Sequence, residues 1–113
     1  MWCWLDDVAE SRLRDILEVA QELAGHLEGR SKAAFRADRG LQRVTERLVE
    51  IAGEAATHVP DEVAGAIEAD WQGIRAMRVV LAHAYHRIDL DILWEAASRS
   101  LPRFASAVAA HLQ

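Results

Sequence analysis

The chain has 113 residues, 51% of them apolar, and 13 basic against 18 acidic side chains leave a net charge of −5. That length supports one domain over residues 1–113, burying roughly two-thirds of its unfolded surface without help from metal or disulfides. No apolar run approaches the ~18 residues of a membrane span, and no repeat of solenoid length is present.

Periodicity is helical nearly from end to end. Leu13, Ile16, Leu17, Ala20, Leu23, Ala24 and Leu27 follow an i, i+3, i+4, i+7 pattern. Asp7 and Glu10 offer a capping box at the start of this first helix, and Gly29 a stop. A second stripe, Leu41, Val44, Leu48, Ile51, Ala52 and Ala55, must end before Pro60, whose ring disfavours helix at Val59. Asp61 is placed to cap a short helix reaching about Ala69. A third long helix starts near Asp70 or Trp71 and carries Trp71, Ile74, Met77, Leu81 and Tyr85 on one side. A break is expected at Ile88-Asp89, with Asp89 as N-cap. Beyond it, Leu90, Leu93, Trp94, Ala97, Leu101, Phe104, Val108 and Leu112 keep a helical phase across Pro102, which predicts a kink or a fresh start there. The expected fold is all-α: an up-and-down bundle of four main helices plus one short connecting helix, without a sheet.

The third helix is apolar on more than one side. At about 100° per residue, Val79 and Val80 point away from the Trp71/Ile74/Leu81 face; a homodimer would supply a second burial surface for them, although both are small enough to be tolerated in water. Charge is equally uneven. From Trp71 to Ile88 the charged residues are Arg75, Arg78 and Arg87, so this segment carries +3 while the remainder carries −8. With no acidic partner close in sequence, such an island suggests an anionic ligand, most simply a phosphate. Arg78 and Tyr85 fall on one face, whereas His83 lies about 140° round the helix from Arg78. Convergence of Arg78 and His83 on one phosphate needs a groove between subunits, the reach of arginine, or a loosened helix near His83.

Gly53-Glu54-Ala55, Trp71-x-x-Ile74-x-x-Met77-Arg78, Leu81-x-His83-x-Tyr85, Ile88-Asp89, Trp94 and Leu101-Pro102 occur in that order. Together they resemble the HepT-like branch of the HEPN superfamily, from about Leu13 to Phe104. The resemblance implies a small helical bundle that dimerises so that two copies of the motif line a composite cleft. It further implies a toxin that cleaves RNA without metal, encoded beside a minimal nucleotidyltransferase antitoxin that can add AMP to the motif tyrosine, here Tyr85. Arg78 and His83 become the catalytic candidates and Tyr85 the modification candidate. No cofactor is expected.

The chemistry agrees with those roles. Cleavage of RNA by its own 2′-hydroxyl needs a base for that oxygen, an acid for the 5′-oxygen and a cation for the phosphorane. Histidine titrates near the working pH, and arginine presents a permanently charged planar fork to phosphate oxygens. One departure stands out: active relatives commonly carry a polar residue, often asparagine, directly after the motif arginine, and this chain has Val79. That leaves a second reading, a non-catalytic binding partner or substrate-presenting subunit of the nucleotidyltransferase. A third is a purely structural helical dimer.

Other features are weaker. His83 and His86 share a helix face, but two histidines without a cysteine or an assured carboxylate are a poor metal signal, and no metal site is expected. His26, His58 and His111 have no motif context. On the second long helix Arg36, Arg39, Arg43 and Arg47 form a stripe continued by Glu50 and Glu54. This order opposes the helix dipole, so either Arg43 and Arg47, with Arg75, help track RNA phosphates, or the stripe is a salt-paired solvated face through Arg43–Glu46 and Arg47–Glu50. The acidic whole-chain charge argues against indiscriminate nucleic-acid binding, and no DNA partner is expected. Cys3 has no intrachain partner, and Met1-Trp-Cys-Trp-Leu-Asp-Asp lacks the basic start and apolar core of a signal peptide. The chain therefore reads as cytoplasmic, and twelve arginines against one lysine, with abundant alanine, suggest a GC-rich bacterial coding background.

Overall fold

The computed structural model describes residues 4–82 and 89–113, with side chains over 7–81 and 89–113. Seven α-helices are described: α1 (Trp4–Leu27), α2 (Lys32–Ala37), α3 (Arg39–Thr57), α4 (Asp61–Ala64), α5 (Trp71–Ala82), α6 (Leu90–Glu95) and α7 (Leu101–Leu112). No strand occurs among the described residues, so the all-α expectation is borne out. None of the described helices is long and apolar enough to cross a membrane.

The periodic stripes become the core. Leu13, Ile16 and Leu23 of α1 meet Leu41, Leu48, Val49 and Ala52 of α3, and Leu101, Phe104 and Val108 of α7 close over them. Thr45, wholly buried within α3, is satisfied by donating its hydroxyl to the Leu41 carbonyl at 2.7 Å. Trp71 lies nearly buried at the start of α5, its Nε1 donating to the Ile67 carbonyl at 3.0 Å and its ring meeting Phe104 edge-on at 4.7 Å. Such an aromatic pair ties the first turn of α5 to α7.

Several boundaries differ from the sequence reading. α1 begins at Trp4, so Asp7 sits inside the helix rather than capping it. Gly29 does end that segment, with a φ of 73° that glycine adopts without steric cost. A second short helix, α2, is absent from the periodic reading. Ser31 caps it by accepting from the Ala34 N–H at 3.1 Å, and Phe35 is its one buried anchor, packed on Trp94 at 5.2 Å. Asp38 then caps α3, accepting from the Leu41 N–H at 3.0 Å. α4 stops at Ala64 rather than near Ala69, with Pro60 at its N-cap and Asp61 already helical.

Asp89 is the N-cap of α6 as expected, accepting from the Asp91 and Ile92 N–H groups. Pro102 enters by a specific device. Ala96–Ser100 forms a π-helical turn, the backbone stays helical through Ser100 and Leu101, and the proline falls in the first turn of α7. The wider turn, in which the Leu101 N–H reaches back to the Ala96 carbonyl, loosens the hydrogen-bond ladder just where proline has no N–H to give.

Candidate functional site

The site is built on the pairing of α3 with α5, and a glycine sets how closely they meet. Gly53 is buried, and a Cβ placed on it would lie 2.7 Å from the Ile74 carbonyl oxygen, 3.1 Å from the Arg78 nitrogen and 3.2 Å from the Arg78 Cβ. Only the absence of a side chain lets the α5 backbone rest here. Arg78 therefore leaves α5 directly against the last turns of α3.

There its guanidinium forms an ion pair through Nε with Oε2 of Glu54. The island seen in sequence thus does have an acidic partner, supplied by α3 across the pairing. The other carboxylate oxygen of Glu54, Oε1, lies 3.0 Å from His58 Nε2, one helical turn further on. Glu54 is held at both oxygens, and its carboxyl sits below its ordinary value of 4.5. The hydrogen bond from His58 is the largest cause; desolvation opposes it, and the charge and hydrogen bond of Arg78 reinforce it. Both members of the pair are close to half-exposed, Arg78 at 46% and Glu54 at 47%. An ion pair in that setting is screened by solvent and adds little to stability.

Arg75 is placed differently. Its Nε donates to the Ala56 carbonyl at 2.9 Å and its Nη2 to the Val59 carbonyl at 3.0 Å, so it spans the last turn of α3 and the residues just after it. Its charge lies 5.2 Å from the centre of the Trp71 ring, and Asp61 stands 3.8 Å from Nη1. These contacts bind α5 to the α3–α4 turn. Arg43 and Arg47 make the pairs their spacing predicts, with Glu46 at 3.6 Å and Glu50 at 2.7 Å. Both arginines remain about two-thirds exposed. Arg47 stands seven residues before Glu54 on the same face, about 10 Å along α3.

Val79 and Val80 are each 51% exposed, as the double-sided pattern of the third helix requires. His83, Tyr85, His86 and Arg87 lie outside the described residues. Between α5 and the C-terminal helices a groove of about 630 Å³ runs between Gly73, Ile74 and Met77 and the Ile92, Ala96 and Phe104 side chains of α6, the π turn and α7. Its rim carries Glu68, Asp70, Asp91 and Glu95 against Arg103. That sign is wrong for phosphate, which leaves the Arg78 face as the candidate site.

Sequence reasoning attached no role to His58 and left Glu54 as an unexplained motif residue. The signal for Glu54 was its place in Gly53-Glu54-Ala55, but its partner is 24 positions away and beyond any helical spacing rule.

Among known proteins, the family model described as "Ribonuclease HepT-like" matches residues 16–110. A protein named "Putative RNase" from Caldanaerobacter subterraneus subsp. tengcongensis is 31% identical over 102 residues, covering 89% of this chain and 91% of that protein. A "Probable ribonuclease HepT" from Thermococcus cleftensis is 28% identical over 100 residues, covering 88% of this chain and 84% of that protein. A second "Putative RNase", from Methanocaldococcus jannaschii, is 26% identical over 91 residues, covering 80% of this chain and 75% of that protein. No solved structure matches the chain significantly. With its all-α pairing of α3 and α5 and a family match over residues 16–110, the chain belongs to the HepT-like ribonuclease family of the HEPN superfamily.

Proposed function

We propose that this chain is a metal-independent endoribonuclease, acting in the cytoplasm as a homodimer and as the toxin of a pair whose other member is a minimal nucleotidyltransferase. The family match over residues 16–110 carries the reading, and the half-exposed position of Arg78 beside the apolar Val79/Val80 surface supports it. Two copies joined through that surface would bring two Arg78 and two His83 side chains into one cleft. One His83 takes the proton of the RNA 2′-hydroxyl as the 2′-oxygen attacks phosphorus. The other gives a proton to the 5′-oxygen as the P–O5′ bond breaks, and Arg78 holds the non-bridging oxygens. The products are a 2′,3′-cyclic phosphate and a free 5′-hydroxyl. Arg43 and Arg47 guide the RNA backbone toward the cleft, while Arg75 contributes positive charge from the α3–α4 turn. The nucleotidyltransferase neutralises the toxin by adding AMP to Tyr85, which places a bulky anion on the motif.

The test is cleavage of total RNA in EDTA by the purified protein beside Arg78→Ala and His83→Ala variants shown to be folded dimers. Cleavage with cyclic phosphate ends, lost in both variants, is the expected result. Val79 favours one second reading, because it removes the polar group that commonly follows the motif arginine. In it the protein is a non-catalytic partner that presents Tyr85 to the nucleotidyltransferase. A folded dimer that leaves RNA intact and carries no AMP on Tyr85 would overturn the nuclease reading in favour of that one.

A further inference from the structure

We infer that Glu54 is a positioning residue for the phosphate site: its carboxylate holds the Arg78 guanidinium by the Nε edge and so aims the Nη edge at the RNA. The inference rests on the reading of Arg78 as the phosphate-binding group and adds the element that fixes its direction. Three observations converge. Gly53 brings the Arg78 backbone against α3 so closely that the side chain must leave beside the next residue, Glu54. The ion pair is made at Nε, and an arginine so held keeps its two terminal nitrogens on the opposite edge of the fork. The carboxylate is itself fixed, because His58 occupies Oε1 while Arg78 occupies Oε2. An arginine free to sample its rotamers would have to be ordered by the ligand at a cost to affinity, and one already held is not.

A carboxylate beside a phosphate site would ordinarily be a liability. On Coulomb's law alone, replacing Glu54 by glutamine removes a negative charge and should tighten RNA binding. Positioning predicts the opposite sign, which makes the inference testable without reference to turnover.

The experiment uses the full chain and a short RNA bearing a 2′-deoxy substitution at its cleavage site, so that binding is read without reaction, together with cleavage of the unsubstituted RNA. Glu54→Gln is expected to weaken binding about 3- to 10-fold and to slow cleavage about 10- to 100-fold, with dimerisation unchanged and the melting midpoint lowered only slightly, as for any half-exposed ion pair. Glu54→Asp keeps the charge on a shorter arm and is expected to recover part of both. Added guanidinium should restore some activity to Arg78→Ala while Glu54 is present and none when glutamine replaces it, a dependence that a merely structural carboxylate would not produce.

Unchanged or tighter binding in Glu54→Gln would overturn the inference. If the parent binds the substituted RNA but cleaves nothing, the nuclease reading fails while the binding comparison still decides the role of Glu54. If Arg78→Ala binds as tightly as the parent, Arg78 does not engage phosphate and the inference falls with it.

Discussion

Replacing Gly53 by alanine tests the frame of the site. In an ordinary helix interior, Gly→Ala stabilises by about 1 kcal/mol because alanine has less backbone freedom to lose. Here the new Cβ would stand 2.7 Å from the Ile74 carbonyl oxygen, roughly 0.8 Å inside an ordinary contact of about 3.5 Å. The opposing atoms at 2.7 and 3.1 Å are backbone, so no rotamer change relieves them and α5 must move bodily from α3. Overpacking of this kind costs about 1–3 kcal/mol, and a backbone obstacle places Gly53 at the upper end. Net of the propensity gain, the loss is about 2 kcal/mol, or about 8 °C in melting midpoint for a chain of this size. Gly25, in α1 with nothing within 4 Å of its would-be Cβ, is the control and should gain a few degrees. Calorimetric melts of the two variants beside the parent check this. A Gly53→Ala protein as stable as Gly25→Ala would refute the close approach of α3 and α5. The shift of Arg78 away from Glu54 should also reduce RNA cleavage in the same variant.

The two arginines of α5 should separate by assay. Arg75→Ala removes donors at 2.9 and 3.0 Å from the Ala56 and Val59 carbonyls and should cost about 2 kcal/mol in urea unfolding, whereas Arg78→Ala should leave the melting midpoint within ~2 °C while abolishing cleavage. Stability should also depend on pH with a defined sign. Asp38, lowered chiefly by the Leu41 N–H, and Asp91, lowered chiefly by its hydrogen bond from Lys32, sit below 3.8, and Glu54, lowered chiefly by His58, sits below 4.5. Carboxyls depressed in the folded state contribute stability above their unfolded values and lose it as pH falls through the folded ones. The melting midpoint should therefore be flat above about pH 5 and drop below about pH 4. A midpoint that stays level or rises as pH falls below about 4 would contradict the caps and clamps described.

The sequence displayed the four long stripes because each is long enough for a 3.6-residue period to emerge from noise, and the same stripes line the core. It hid α2 because six residues around a single buried Phe35 carry no period. What holds α2 is instead a cap at Ser31 and a clamp in which Lys32 and Arg36 both reach one oxygen of Asp91 at 2.9 Å, more than fifty positions away. The double-sided character of α5 was legible, and Val79 and Val80 are exposed as it requires. The charge pattern misled in one respect. Arg75, Arg78 and Arg87 formed an unopposed island only along the chain, since Glu54 and Asp61 arrive from α3 and α4 through the tertiary fold. Local spacing rules reach three or four residues, and the pairing that defines this site spans 24.

The division between Arg75 and Arg78 follows from where α3 ends. The end of a helix leaves carbonyls that need donors, and Ala56 in the last turn of α3 and Val59 just beyond it meet the arginine one turn before Arg78. Satisfying them commits Arg75 to the frame and locks the angle between the helices. One turn further on, Gly53 removes the side chain that would hold them apart, and the helices meet at Arg78. The same pairing thus fixes one arginine by its donors and delivers the other, half-exposed, to the surface. Glu54 occupies the position between these two effects, adjacent to Gly53 in sequence and paired with Arg78 in space. A substitution that loosens the α3–α5 pairing must therefore act on the direction of Arg78 as well as on stability.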